Sequence, residues 1–171
     1  MTLLDRVAAL LDAQRVPHAL IGAAALAAAG VARSTFDVDL LTGDARVLAD
    51  DFWSALRTSE VSVDIRRGDD EDPLAGIVRL DTAADRPVDI IVAKHAWQAR
   101  MIERAQRVPG GPPVVTPPDL ILLKLYAGGH QDLWDVRELL STAGGDVIAR
   151  QVDDSISGMP SEMRDRWLSV R

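Results

Sequence analysis

Apolar positions recur at helical spacing near the start of the chain. In residues 2–15, Leu3, Val7, Leu10 and Leu11 fall on one stripe, with Asp5, Arg6, Asp12 and Arg15 outside it, and Pro17 ends the run. His18 to Ile21 reads as a short strand that stops at Gly22, and small helix-forming residues follow. Phe36 to Leu41 alternates with period two, which sends Phe36, Val38 and Leu40 to a core and Asp37 and Asp39 to the other face. Residues 45–57 predict a helix capped by Asp44, with Val47, Leu48, Phe52 and Leu56 inward. Three further strands are expected at 61–67, 76–80 and 87–93. Lys94 to Arg107 predicts a helix carrying Arg100, Arg104 and Arg107 on one face, either an anion contact or a solvated stripe. After the loop at 109–113, Thr116 caps an apolar helix that Gly128 and Gly129 end, and His130 starts another. Residues 145–170 read as short helices, with Trp167 and Leu168 closing the core.

This order predicts an α/β fold with an α/β core over residues 1–110 and a helical part over 111–171, together one structural unit. A chain of 171 residues and 47% apolar content supports a real core, built from aliphatics because aromatics make up only 4%. Cysteine is absent, which excludes disulfides and thiolate metal sites. The net charge of −7 argues against a general nucleic-acid binder. The apolar run at 19–32 is short of the ~20 residues a spanning helix needs and lacks a basic flank, so no membrane segment is expected and the cytoplasm is the expected location.

The candidate chemistry starts at Gly22 and Asp37-Val38-Asp39. Two carboxylates on one strand face repel unless a cation sits between them or one stays protonated, and a hard divalent ion with oxygen ligands resolves the conflict. A glycine at the strand-to-helix turn lets backbone N–H groups approach a phosphate. Asp89 is a lone acid in the apolar strand 87–93 and needs a partner. Asp64, on its own alternating strand, is the rival third carboxylate, with Ser62 and Arg66 beside it. Lys124, in the middle of the apolar helix, must meet an anion, either a carboxylate or a nucleotide phosphate. Asp132 and Asp135 share one side of the next helix near its start, where capping alone would also explain them. The acidic loop 68–73 reads as a solvated turn.

Gly22-Ala23 followed by Arg33-x-Thr35-x-Asp37-x-Asp39 resembles the signature of the DNA polymerase β-like nucleotidyltransferase superfamily, most closely its small bacterial members related to abortive-infection and toxin–antitoxin nucleotidyltransferases. The resemblance covers most of residues 18–140. It departs at Ala23, where many members have Ser, so a phosphate-contacting hydroxyl is missing and the backbone N–H remains. The resemblance implies a nucleotidyltransferase-type mixed sheet flanked by helices, with a helical C-terminal part. It implies Asp37, Asp39 and Asp89 as catalytic carboxylates holding Mg²⁺ or Mn²⁺. It implies Gly22, Ala23, Arg33, Thr35, Lys124 and Asp132 around a nucleoside triphosphate. The expected reaction is transfer of a nucleoside monophosphate to an acceptor (tRNA, protein or small molecule), with a cognate antitoxin as partner if the chain is a toxin. Two other readings stand beside it: a catalytically inactive nucleotide- or partner-binding module of the same fold, motivated by Ala23, and a metal-dependent phosphoesterase.

Overall fold

The computed structural model describes residues 1–171, which form two compact units. The first contains Met1–Ala24 and Ser34–Val115; the second contains Ala25–Arg33 and Thr116–Arg171.

In the first unit, α1 (Leu3–Ala13) starts at a capping box: Asp5 N–H donates to Thr2 Oγ1 at 3.2 Å, and Thr2 N–H donates to Asp5 Oδ2 at 2.8 Å. Five strands follow: β1 (His18–Leu20), β2 (Val38–Thr42), β3 (Ser62–Arg67), β4 (Gly76–Asp81) and β5 (Val88–Val92). They make one mixed sheet in the order β1-β2-β5-β4-β3. Only β2 and β5 pair in parallel; the other neighbours are antiparallel. One sheet face is built from Leu40, Val78, Leu80, Val88, Ile90 and Val92, all buried, so the alternation in the sequence becomes a one-sided core.

Several expected details differ. The strand expected from Phe36 begins only at Val38, whose N–H donates to Pro87 O at 2.9 Å, so Asp37 lies just ahead of the ladder. Phe36, expected in the core, is 79% exposed, because outside the ladder no pairing enforces its alternation. The helix expected at 45–57 is two short 3₁₀ turns, Ala45–Leu48 and Asp50–Trp53. The buried anchor there is Trp53, whose indole N–H donates to Val47 O at 2.7 Å. The helix expected over 94–107 is α3 (Ala96–Glu103), with Arg104 as its C-cap and Arg107 beyond it, so the three arginines do not form a helical stripe. The acidic loop holds a cation of its own: Lys94 Nζ donates to the carbonyls of Asp69, Asp70 and Asp72 at 2.7–2.9 Å.

The second unit contains four helices: α4 (Pro117–Ala127), α5 (His130–Leu140), α6 (Gly145–Ile156) and α7 (Ser161–Val170). Thr116 caps α4 through Asp119 N–H, and Gly128 ends it in the left-handed region at φ 70°. Arg166 takes the space a side chain at Gly128 would need and donates to the carbonyls of Leu125 and Tyr126, satisfying the helix end. Trp167 is buried as expected, whereas Leu168 is exposed. The α2 helix (Gly22–Ala28) begins in the first unit and ends in the second. No helix is long and apolar enough to cross a membrane.

Candidate active site

Directly paired residues on neighbouring strands share a sheet face. The register pairs Asp39 with Asp89, Asp89 with Arg79, and Arg79 with Asp64. A row of three acids and one arginine therefore crosses the sheet on the face opposite the apolar core. Asp37, two residues before Asp39, reaches the same row: Arg79 Nη1 lies 4.0 Å from Asp37 Oδ2 and 2.9 Å from Asp89 Oδ2.

Asp89 is largely enclosed, with its side chain 14% exposed. Its Oδ2 accepts from Arg79, but its buried Oδ1 has no hydrogen-bond partner. Burial pushes its carboxyl above the ordinary range; the Arg79 guanidinium opposes that shift, and the Asp37 carboxylate adds to it. Asp64 differs. Its side chain is 56% exposed and pairs with Arg66 Nε at 2.9 Å, which makes it a solvated surface acid. Asp39 sits against Gly22. A Cβ at Gly22 would overlap Asp39 Oδ2, and its φ of +59° is a conformation that suits glycine, so close approach and backbone both demand this residue. Ile21 N–H donates to Asp39 O at 3.0 Å, which ties the turn to β2. Ala23 is buried in the second position of α2. Thr35 Oγ1 donates to Asp37 O at 3.0 Å and so fixes the backbone that presents Asp37.

Lys124, Arg33 and Asp132 lie in the second unit. Lys124 Nζ is 2.8 Å from Asp132 Oδ1 and 2.8 Å from Asp135 Oδ2. Arg33 Nη1 also pairs with Asp135 Oδ2, and Gln131 Nε2 donates to its Oδ1 at 3.1 Å. Asp135, its side chain 3% exposed, is thus the centre of a charge network. The anions that meet Lys124 here are carboxylates. Asp132 also accepts from Gly129 N–H at 3.2 Å, so it caps α5 while it holds the lysine.

One participant was not singled out from the sequence, and another was named without its burial. Arg79 looks ordinary in a short alternating strand, and only the register puts it opposite Asp89. Asp135 was visible as the partner of Asp132 on one helix side, but its burial was not.

The donor set suits a hard divalent ion: three carboxylates on neighbouring backbone positions, no softer ligand, and one buried oxygen without a partner. As the side chains stand, no three acids or histidines converge to metal-ligand spacing, and the cation among them is Arg79.

No protein-family model matches the chain, and no curated protein matches its sequence. Among solved structures, it is similar to the antibiotic-resistance factor ANT(2'')-Ia in solution, with a TM-score of 0.58 and 18% identity, covering 91% of this chain and 90% of that one. A crystal structure of ANT(2'')-Ia in complex with adenylyl-2''-tobramycin gives a TM-score of 0.55 at 18% identity, covering 91% of this chain and 95% of that one. An antigenic nucleotidyltransferase-like protein from Paracoccidioides brasiliensis gives 0.48 at 15% identity, covering 95% and 90%. At such identities the likeness is one of fold, and that fold is the nucleotidyltransferase type.

Proposed function

We propose that this chain, which has the nucleotidyltransferase fold, transfers a nucleoside monophosphate from a triphosphate to an acceptor hydroxyl and releases pyrophosphate. The observation that supports it most is the in-register placement of Asp39 and Asp89 on adjacent parallel strands, with Asp37 beside them. In the reaction, the acceptor oxygen forms a bond to the α-phosphorus while the bond from that phosphorus to the bridging oxygen of pyrophosphate breaks. The hydroxyl proton leaves toward the carboxylates, with Asp89 assigned as the base.

Asp37, Asp39 and Asp89 are the residues that would hold Mg²⁺ or Mn²⁺. Such an ion, when bound, polarises phosphoryl oxygens and offsets the charge that develops on them. Gly22 keeps a side chain out of the space against Asp39, and Thr35 keeps Asp37 presented. The backbone N–H of Ala23 takes the place of the hydroxyl its side chain lacks. Because one similar structure holds an adenylylated aminoglycoside, small amino sugars are the first acceptors to test, with tRNA and protein as the comparison.

Calorimetric titration of each of the four Mg-NTPs, beside an Asp37→Asn/Asp39→Asn variant, tests the reading without knowing the acceptor. Metal-dependent binding that disappears in the variant is the expected result, followed by transfer of label from α-³²P-NTP to an acceptor. No binding at millimolar nucleotide would overturn it.

A further inference from the structure

One guanidinium stands where the carboxylates need a positive charge. Arg79 Nη1 contacts Asp89 Oδ2 at 2.9 Å and approaches Asp37 Oδ2 at 4.0 Å. We propose that Arg79 is the resident counter-ion of this carboxylate site and that a divalent cation must displace it before binding there. The proposal rests on the reading of Asp37, Asp39 and Asp89 as cation-holding residues.

Three observations carry it. Charge comes first. Asp37, Asp39 and Asp89 are gathered at one place on the sheet, and so close a set of carboxylates needs a cation to offset its repulsion. Arg79 supplies that cation to Asp89 and Asp37 from within the chain, since the register delivers it directly opposite Asp89. Geometry comes second. The guanidinium engages an oxygen of Asp89 and faces one of Asp37, so a cation held by both carboxylates would have to enter the space it occupies, and no three acids converge to metal-ligand spacing around it. Ion and guanidinium therefore compete for the same position between the two carboxylates. The third observation concerns release. Arg79 leaves Asp89 Oδ1 without a partner, so it satisfies the site only in part. Its own side chain is 37% exposed, so the guanidinium has solvent to move into when it leaves Asp89. A long side chain that lets go here remains tethered beside the site, where an arriving phosphate can take its charge.

The consequence is a site with low affinity for metal alone, which opens when Arg79 finds another anion. A structural role for the Arg79–Asp89 pair predicts that removing Arg79 weakens everything. Competition predicts a gain in metal affinity. Mn²⁺ alone is titrated into the protein and its free fraction read by electron paramagnetic resonance. Wild type, Arg79→Gln, Arg79→Lys and each of these with Asp39→Asn are compared. Arg79→Gln should bind Mn²⁺ roughly fivefold more tightly, the equivalent of about 1 kcal/mol, and Asp39→Asn should abolish the gain. Arg79→Lys, which keeps the charge but loses the planar fork, should lie between.

Equal or weaker binding by Arg79→Gln overturns the proposal. If that variant does not fold, Arg79→Lys decides: tighter binding supports competition, and unchanged binding overturns it. Where wild type and Arg79→Gln bind alike and both lose Mn²⁺ with Asp39→Asn, the counter-ion idea falls and the carboxylate reading stands. Where neither binds although both are folded, both fall.

Discussion

Asp89 shows at the residue scale how burial sets the cost of a charge. Its carboxyl is raised because burial disfavours the charge, and neither Arg79 nor solvent fully compensates. The sign follows from linkage. The folded protein holds this proton more tightly than the unfolded chain, so Asp89's contribution to stability is complete below its ordinary value of 3.8 and is lost as pH rises through its raised folded value. Asparagine carries no charge at any pH. The melting temperature of Asp89→Asn relative to wild type should therefore rise from acid to neutral pH, as scanning calorimetry would show. A difference that stays flat with pH would mean that Asp89 is not destabilised by its surroundings. Asp89 was readable as an acid needing a partner. That the partner is Arg79 was not, because a strand pairing spans residues that no local pattern links.

At the element scale, α4 and α5 were legible almost residue by residue. Thr116, Pro117 and Gly128 punctuate α4 at both ends, and the apolar run between them is buried as its pattern required. The same helix hid its main electrostatic feature. Lys124 was recognised as needing an anion, and α5 provides two, Asp132 and Asp135. Removing one partner of a buried network leaves an uncompensated charge. Lys124→Met should lower unfolding free energy by about 3 kcal/mol, at the lower end for such a loss because Arg33 and Gln131 still hold Asp135. Urea unfolding measures this, and a loss below about 1 kcal/mol would mean that the remaining partners suffice. Elements without such punctuation were read less well. Residues 45–57 have an amphipathic look and a good Asp44 cap, yet they break into two 3₁₀ turns because burying Trp53 and bonding its indole to Val47 O governs the local path. Local propensity is a weak prior when one large side chain must reach the core.

Over the whole molecule, charge is arranged so that each lysine and Arg79 of the sheet are held by the chain's own oxygens. Lys94 binds three loop carbonyls, Lys124 two carboxylates and Arg79 the acidic row. A chain with a net charge of −7 thus fixes both of its lysines and one of the sheet arginines internally. Protection against hydrogen exchange should follow the depth of pairing. β5, paired on both sides with Val88, Ile90 and Val92 buried, and the buried helix α4 should be the slowest regions in their units, whereas residues 34–37 and 69–72 should exchange first. Mass spectrometry of exchanged peptides would show this order, and fast exchange in β5 would contradict the sheet arrangement.

The sequence by itself determined what depends on neighbours along the chain. Period-two alternation set the two faces of β2, β4 and β5, capping residues set the ends of α1 and α4, and the Asp37-x-Asp39 spacing set one pair of carboxylates. It also placed Gly22 at the strand-to-helix turn, where the structure then set Asp39 against it. Only the tertiary structure decided what depends on pairing between distant segments. The parallel register brought Asp89 beside Asp39, the antiparallel one put Arg79 across from Asp89, and packing of α5 on α4 buried Asp135 against Lys124. The physical reason is range. Helix periodicity, turns and caps act over a few residues, whereas register is chosen by the sum of contacts along whole strands.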